Sequence, residues 1–144
     1  MEKRIDLQAV EPNAYKPMMA LEQYIQQSQI PKNQLELIKI RASQINGCAY
    51  CLDLHTKDAI SLGESPQRIF LLNAWRETEL YTAQERIVLA ITEEITLIHD
   101  KGLSAATYAQ ASEVFNEQYI AQLIMAVICI NAWNRIAIST LKPL

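Results

Sequence analysis

A stretch near the end of the chain most constrains the fold. From Leu123 to Ile130 every residue is apolar, and this run sits inside a helical pattern from about Glu117 to Thr140. A helix that is apolar almost all round has to be buried, in the middle of a bundle or in a subunit interface. The run is far short of the roughly 20 apolar residues that a membrane span needs. Only 3 glycines and 5 prolines interrupt the 144 residues, so long elements are expected. No segment shows the strict apolar–polar alternation of a half-buried strand. The pattern predicts an all-α chain of about six or seven helices.

Helical spacing and stop signals place those helices. Met1–Glu11 reads as an irregular arm. Asn13 is suited to cap a helix from Ala14 to about Gln27, with Met18, Leu21, Tyr24 and Ile25 on its buried stripe and Pro17 near its first turn. After Ile30-Pro31, a second helix spans about Lys32 to Ile45, with Leu35, Ile38, Ala42 and Ile45 inward. Gly47 breaks that pattern, and a third helix runs from Cys48 to about Leu62, stopped by Gly63. Ser65-Pro66 opens a short helix through about Trp75. Thr82-x-x-Glu85 is a capping box, followed by an apolar stripe at Ile87, Ala90, Ile91, Ile95 and Ile98. Gly102 ends that helix, and Ser104 can cap the next. No repeat, linker or low-complexity tract divides residues 1–144, which predicts one domain.

The chemistry concentrates at Cys48-x-x-Cys51-x-x-x-His55. Positions i, i+3 and i+7 of a helix project from one face, so two sulfurs and an imidazole are expected to converge at a helix start. Unpaired N–H groups there favour a thiolate over a thiol. Three meanings are open. The pair can be small buried residues beside a surface histidine. It can be a metal site of Cys48, Cys51 and His55, although a structural zinc takes four ligands and no second Cys/His pair exists, so a carboxylate has to complete it. Or it is a redox dithiol, in which one thiolate attacks a peroxide, becomes a sulfenic acid and condenses with the other thiol. The redox reading accounts best for the residue types. Spacing alone leaves the order of attack open. The i, i+4 relation of Cys51 and His55 favours Cys51 as the attacking sulfur, ionised at neutral pH, with His55 as its acid/base partner and Cys48 resolving.

With Glu36 twelve residues before Cys48, the pattern resembles the Glu…Cys-x-x-Cys-x-x-x-His signature of alkylhydroperoxidase D-like proteins, in the carboxymuconolactone decarboxylase superfamily. The similarity runs from Tyr15 to about Ile138. It takes in Leu-Glu-Gln-Tyr-Ile at 21–25 and the Trp75-Arg76-Glu77-Thr78 turn before Tyr81-Thr82. The resemblance implies an all-helical fold, assembly into a dimer, trimer or hexamer, and a site in which Glu36 and His55 relay protons to and from Cys48 and Cys51. It implies a cofactor-free thiol peroxidase or dithiol–disulfide oxidoreductase acting on hydrogen peroxide or alkyl hydroperoxides, serving antioxidant defence, with its disulfide reduced by a lipoyl or thioredoxin-like dithiol. In this chain Tyr50 stands where the best-studied family pattern has a second histidine. The superfamily's other branch, lactone decarboxylation, does not call for a cysteine pair.

Without the resemblance, Glu36 reads as a solvated helix residue paired with Lys32 or Lys39. Cys129 reads as inert core, His99 as a structural residue near a helix end, and Trp75 and Trp133 as packing or interface residues. Asn131 and Asn134-Arg135 are expected to meet partners across a subunit interface. The net charge of −3 offers no basic footprint for nucleic acid. The N-terminus lacks the apolar core of a secretory signal, which predicts a cytoplasmic protein whose cysteine pair is catalytic or metal-binding.

Overall fold

The computed structural model describes residues 4–144, whose regular elements are all helices, with no strand among them. Eight α-helices and one 3-10 turn follow in order: α1 (Leu7–Val10), α2 (Pro12–Gln26), α3 (Lys32–Asn46), α4 (Ala49–Ser61), α5 (Pro66–Phe70), the 3-10 turn Leu72–Glu77, α6 (Ala83–Thr96), α7 (Ala105–Val114) and α8 (Glu117–Thr140). The predicted irregular arm contains α1, whose first turn is closed by the Asp6 carboxylate accepting from the Gln8 and Ala9 N–H groups. Residues 1–3 of that arm lie outside the described residues. α2 begins at Pro12 rather than after an Asn13 cap, which leaves Pro17 in the helix interior. Of its predicted stripe only Ile25 is fully buried, and Tyr24 is exposed.

α3 and α8 form the centre. α3 packs on α4, α6 and α8, and α8 also meets α2, α4, α6 and α7. α8 is long and apolar enough to cross a membrane by length and composition, yet here it is wedged between other helices. α3 is buried on two faces. Leu35, Ile38 and Ala42 enter the main core with Leu123, Val127 and Ile130, while Leu37 and Ile40 enter a second core with Leu72, Trp75 and Leu89. A single inward stripe at helical spacing therefore understates it. The second core is pinned by Glu93, whose carboxylate accepts from Trp75 Nε1, Arg41 and Arg76.

The capping box at the start of α6 forms in both directions, with Thr82 Oγ1 accepting from the Glu85 N–H and the Glu85 carboxylate accepting from the Thr82 N–H. α6 stops at Thr96, earlier than the glycine signal suggests, so Ile98 is exposed rather than in the stripe. Ser104 and Asn116 cap α7 and α8 by accepting from the Thr107 and Tyr119 N–H groups.

Candidate active site

Gly47 sets the approach to the cysteines. It ends α3 in the left-handed region, at φ +69°, where a side chain costs roughly 1–2 kcal/mol. The Ser43 carbonyl accepts from the N–H groups of both Gly47 and Cys48. Cys48 then lies outside α4 as its N-cap, in extended conformation, and its sulfur accepts from the Cys51 N–H at 3.4 Å, the role usually filled by a serine or aspartate oxygen. Sequence spacing had put Cys48 one step later, inside the first turn. The two sulfurs are 2.7 Å apart, inside van der Waals contact, and both are free thiols. They are 1% and 3% exposed, too buried to be reached except through a cavity.

That cavity, of about 330 Å³, reaches Cys51 and not Cys48. Its polar end carries Glu36, Lys39, His55 and Asp58, and its apolar wall includes Met19, Leu54 and Ile136. Tyr15 and Trp133 meet edge to face in the same wall, 5.3 Å between ring centroids. Tyr50 also lines it, with the Lys142 ammonium 4.9 Å from its ring centre.

His55 comes from the second turn of α4 and is buried, with Nδ1 2.8 Å from Oε2 of Glu36 on α3. A carboxylate only accepts, so Nδ1 is the donating nitrogen and Nε2 is left for other partners. Cys51 and His55 line one cavity, but among the described residues no direct hydrogen bond joins them. The solvated Glu36 of the bland reading is overturned: the residue is 5% exposed and its partner Lys39, 3.5 Å away, is buried too. Lys39 continues to Glu22 at 2.7 Å, and the Glu22 carboxylate accepts from the Cys129 thiol at 3.4 Å. His55, Glu36, Lys39 and Glu22 thus form a chain of charged or chargeable groups from α4 across α3 to α2, buried except at the half-buried Glu22.

The electrostatics differ from the sequence expectation at one point. Burial pushes the Cys51 thiol up to about 12, Cys48 adds to this, and hydrogen bonds from Asn134 and Ser43 oppose it. Cys51 is therefore a neutral thiol at pH 7, not the standing thiolate that the helix start suggested. Burial of the sulfur is the largest cause. Cys129 is likewise pushed to about 12, by burial and by the Glu22 carboxylate. Burial also acts to raise Glu22, but the Lys39 ammonium outweighs it and holds the carboxyl at about 2. Lys39 itself is raised, because Glu36 and Glu22 together overcome the burial that would lower it.

Among the described residues, the three ligand-type side chains whose atoms all lie within 4.8 Å of one another are Glu36, His55 and Asp58. The sulfurs are not in that group, so the metal set Cys48–Cys51–His55 is not assembled. A cation there would also face the Lys39 ammonium beside Glu36.

Sequence reasoning singled out Glu36, Cys48, Cys51, His55 and Tyr50, and around them stand residues it missed. Lys39 and Glu22 had one signal, the i, i+3 spacing of Glu36 and Lys39. Asn131 and Asn134 had another, two amides in a very apolar helix. Asn134 is fully buried against Asn46 and Ser43, so its partners lie within the chain, while Asn131 is half-buried and Arg135 exposed.

Residues 12–94 match the carboxymuconolactone decarboxylase family. The uncharacterized protein YdfG of Bacillus subtilis is 42% identical over 96% of this chain and 95% of its own. A protein of unknown function from Agrobacterium tumefaciens, described as a candidate antioxidant defence protein AhpD, superposes with a TM-score of 0.94 at 38% identity, covering 99% of this chain and 97% of its own. A peroxidase-related protein from a Silicibacter species superposes at 0.76 with 27% identity, over 88% of this chain and 67% of its own.

Proposed function

The chain belongs to the carboxymuconolactone decarboxylase family, with an alkylhydroperoxidase D-like fold, and we propose that it works as a thiol peroxidase of that kind. The observation that carries the reading is the arrangement of the sulfurs: Cys51 faces a cavity shared with the Glu36–His55 pair, and Cys48 lies directly behind it. The names of the Agrobacterium and Silicibacter structures, antioxidant defence and peroxidase-related, point the same way.

A hydroperoxide enters along the apolar wall and is attacked by the Cys51 sulfur. Because that thiol is neutral at rest, its proton has to leave during attack, with the peroxide hydroxyl bridging sulfur and imidazole. His55 takes the proton on Nε2 while Glu36 holds Nδ1, and returns it to the departing alkoxide oxygen. The O–O bond breaks and an S–O bond forms, leaving a sulfenic acid on Cys51 and an alcohol, or water from hydrogen peroxide. The Cys48 thiol then attacks the sulfenic sulfur, water leaves, and a 48–51 disulfide results. An external dithiol, lipoyl or thioredoxin-like, takes the disulfide back to two thiols. No bound cofactor enters the cycle.

The same proposal covers the setting. Free thiols persist in a reducing compartment such as the cytoplasm. Residues 1–144 act as one domain, and exposed apolar side chains such as Ile98, Ile128 and Ile138 support assembly with further copies of the chain. Peroxide consumption with a dithiol reductant tests the chemistry. Wild type is expected to turn over and Cys51→Ser is expected to be inactive; equal rates would remove the mechanism.

A further inference from the structure

The cavity at Cys51 adjoins a second one, of about 610 Å³, between the start of the chain and the end of α8. Tyr15, Ile136 and Lys142 line both. Ile5, Leu7, Leu141 and Pro143 give the second cavity an apolar lining, and Arg4 and Asp6 bring charge to it. At about 330 and 610 Å³, both volumes fall in the range of small-molecule sites, roughly 300–1,000 Å³.

The two cations are set in place by the end of α8. Leu141 closes that helix in the left-handed conformation, at φ +49°, which a side chain disfavours. The Lys142 N–H then donates to the Ala137 carbonyl at 3.0 Å, so the backbone under Lys142 is tied back to the helix. Its ammonium lies 4.9 Å from the centre of the Tyr50 ring. Arg4 Nη1 donates to the Ser139 carbonyl at 2.8 Å and so covers the negative end of the α8 dipole. Asp6 is turned to the Gln8 and Ala9 N–H groups. Among the described residues, neither Arg4 nor Lys142 has a carboxylate partner.

Charge has the opposite sign deeper in. Glu22, Glu36 and Asp58 line the Cys51 cavity against one buried ammonium, that of Lys39. Asp58 stands two turns of α4 beyond Tyr50, about 12 Å along the helix axis. An anionic group is therefore repelled from the Asp58 end and drawn to the place where the two cavities meet.

We propose that the two cavities form one site for a hydroperoxide on an apolar chain that ends in a carboxylate, with Lys142 and Arg4 holding the acid and the hydroperoxide group at Cys51. The placing of the peroxide end rests on the peroxidase reading; the acid site stands apart from it. Charge sets the orientation, because the reversed ligand brings its carboxylate among Glu36 and Asp58. The acid itself does not react. The O–O bond breaks at Cys51 as before, and the product is the corresponding hydroxy acid.

Decanoate and decanamide, matched in chain and different in charge, are the probes. Calorimetry gives their Kd for wild type, Lys142→Gln, Arg4→Gln and Lys142→Arg. Iodoacetamide labelling of Cys51, located by tandem mass spectrometry, shows whether the bound chain covers the sulfur. Wild type is expected to bind decanoate about fivefold more tightly than decanamide, the upper scale of an exposed charge pair, and to label more slowly when it is bound. That preference is expected to vanish in Lys142→Gln, to shrink in Arg4→Gln, to persist in Lys142→Arg and to fade at high salt. Equal affinities for the two probes, unprotected Cys51, or a preference unchanged in Lys142→Gln overturns the proposal.

Turnover separates substrate from reductant. With neutral dihydrolipoamide as reductant, an acid-bearing hydroperoxide is expected to show a higher kcat/KM than its methyl ester. A preference for dihydrolipoate over dihydrolipoamide, with none between the hydroperoxides, would give the acid site to the reductant and overturn the proposal. A wild type that consumes no peroxide would sink the peroxidase reading and the peroxide end with it, while decanoate binding still decides the acid site.

Discussion

Nδ1 of His55 lies 2.8 Å from Oε2 of Glu36, across 19 residues of sequence and between two different helices. The contact fixes which imidazole nitrogen is free. It is also held from behind, since Lys39 neighbours Glu36 and is itself tied to Glu22. A carboxylate placed this way orients a base and stabilises the imidazolium that forms when the base takes a proton.

Replacing Glu36 by Gln keeps the shape and removes the charge. Peroxide turnover is expected to fall by about 10²-fold, the scale of positioned acid–base catalysis, with the far-UV spectrum unchanged. A steady-state assay with a dithiol reductant checks it, and wild-type turnover in the variant would dismiss the pair as a proton relay.

The cavity's contact with Cys51 alone predicts an asymmetry between the two cysteine variants. Cys48→Ser treated with one equivalent of peroxide is expected to stop with an added oxygen on Cys51. Cys51→Ser is expected to take up none at Cys48. Intact-protein and peptide mass spectra read both, and oxidation first at Cys48 would reverse the assigned order.

Lys39 is the single cation between two carboxylates, with 5% of its side chain exposed. Lys39→Met leaves buried negative charge uncompensated and is expected to destabilise by about 3–5 kcal/mol. Adding Glu22→Gln to it is expected to recover part of the loss. Urea unfolding of the single and double variants gives the coupling, and strictly additive effects would mean that the chain is not a unit.

Acid should weaken the fold through Glu22. Its folded value is about 2 against an ordinary 4.5, so its contribution is complete above the ordinary value and is lost as pH falls from about 4.5 towards 2. Melting temperatures measured across that window are expected to drop faster for wild type than for Glu22→Gln.

Alkali acts in the opposite sense on the thiols. Cys51 and Cys129 are raised from 9.0 to about 12, so the unfolded chain ionises first and stability declines between those values, by about 1.4 kcal/mol per thiol per pH unit. Cys129→Ala is expected to flatten roughly half of that slope above pH 9 in equilibrium unfolding with the thiols kept reduced. An unchanged slope would place the Cys129 thiol near its ordinary value.

Local pattern carried much of the fold. The bounds of α8, the capping box of Thr82 and Glu85, and the break at Gly47 all follow from interactions within a few residues, where helical spacing and backbone geometry decide. Those same rules fail where a residue answers to a distant neighbour. Ile98 fits the stripe of α6 but lies beyond its end, and α3 turns out to serve two cores at once.

The residues proposed for the site were legible by type and spacing, because Cys48, Cys51 and His55 share one helix and its cap. Their chemical state was not. A helix start by itself favours a thiolate, yet the folded chain leaves Cys51 only 3% exposed, and that burial raises its thiol. Likewise Glu36 alone gives no sign that Lys39 and Glu22 stand behind it. Sequence determined which groups are presented together on a helix. Only the tertiary structure decided what surrounds them, because burial and the partners of a charge depend on segments that are far apart in the chain.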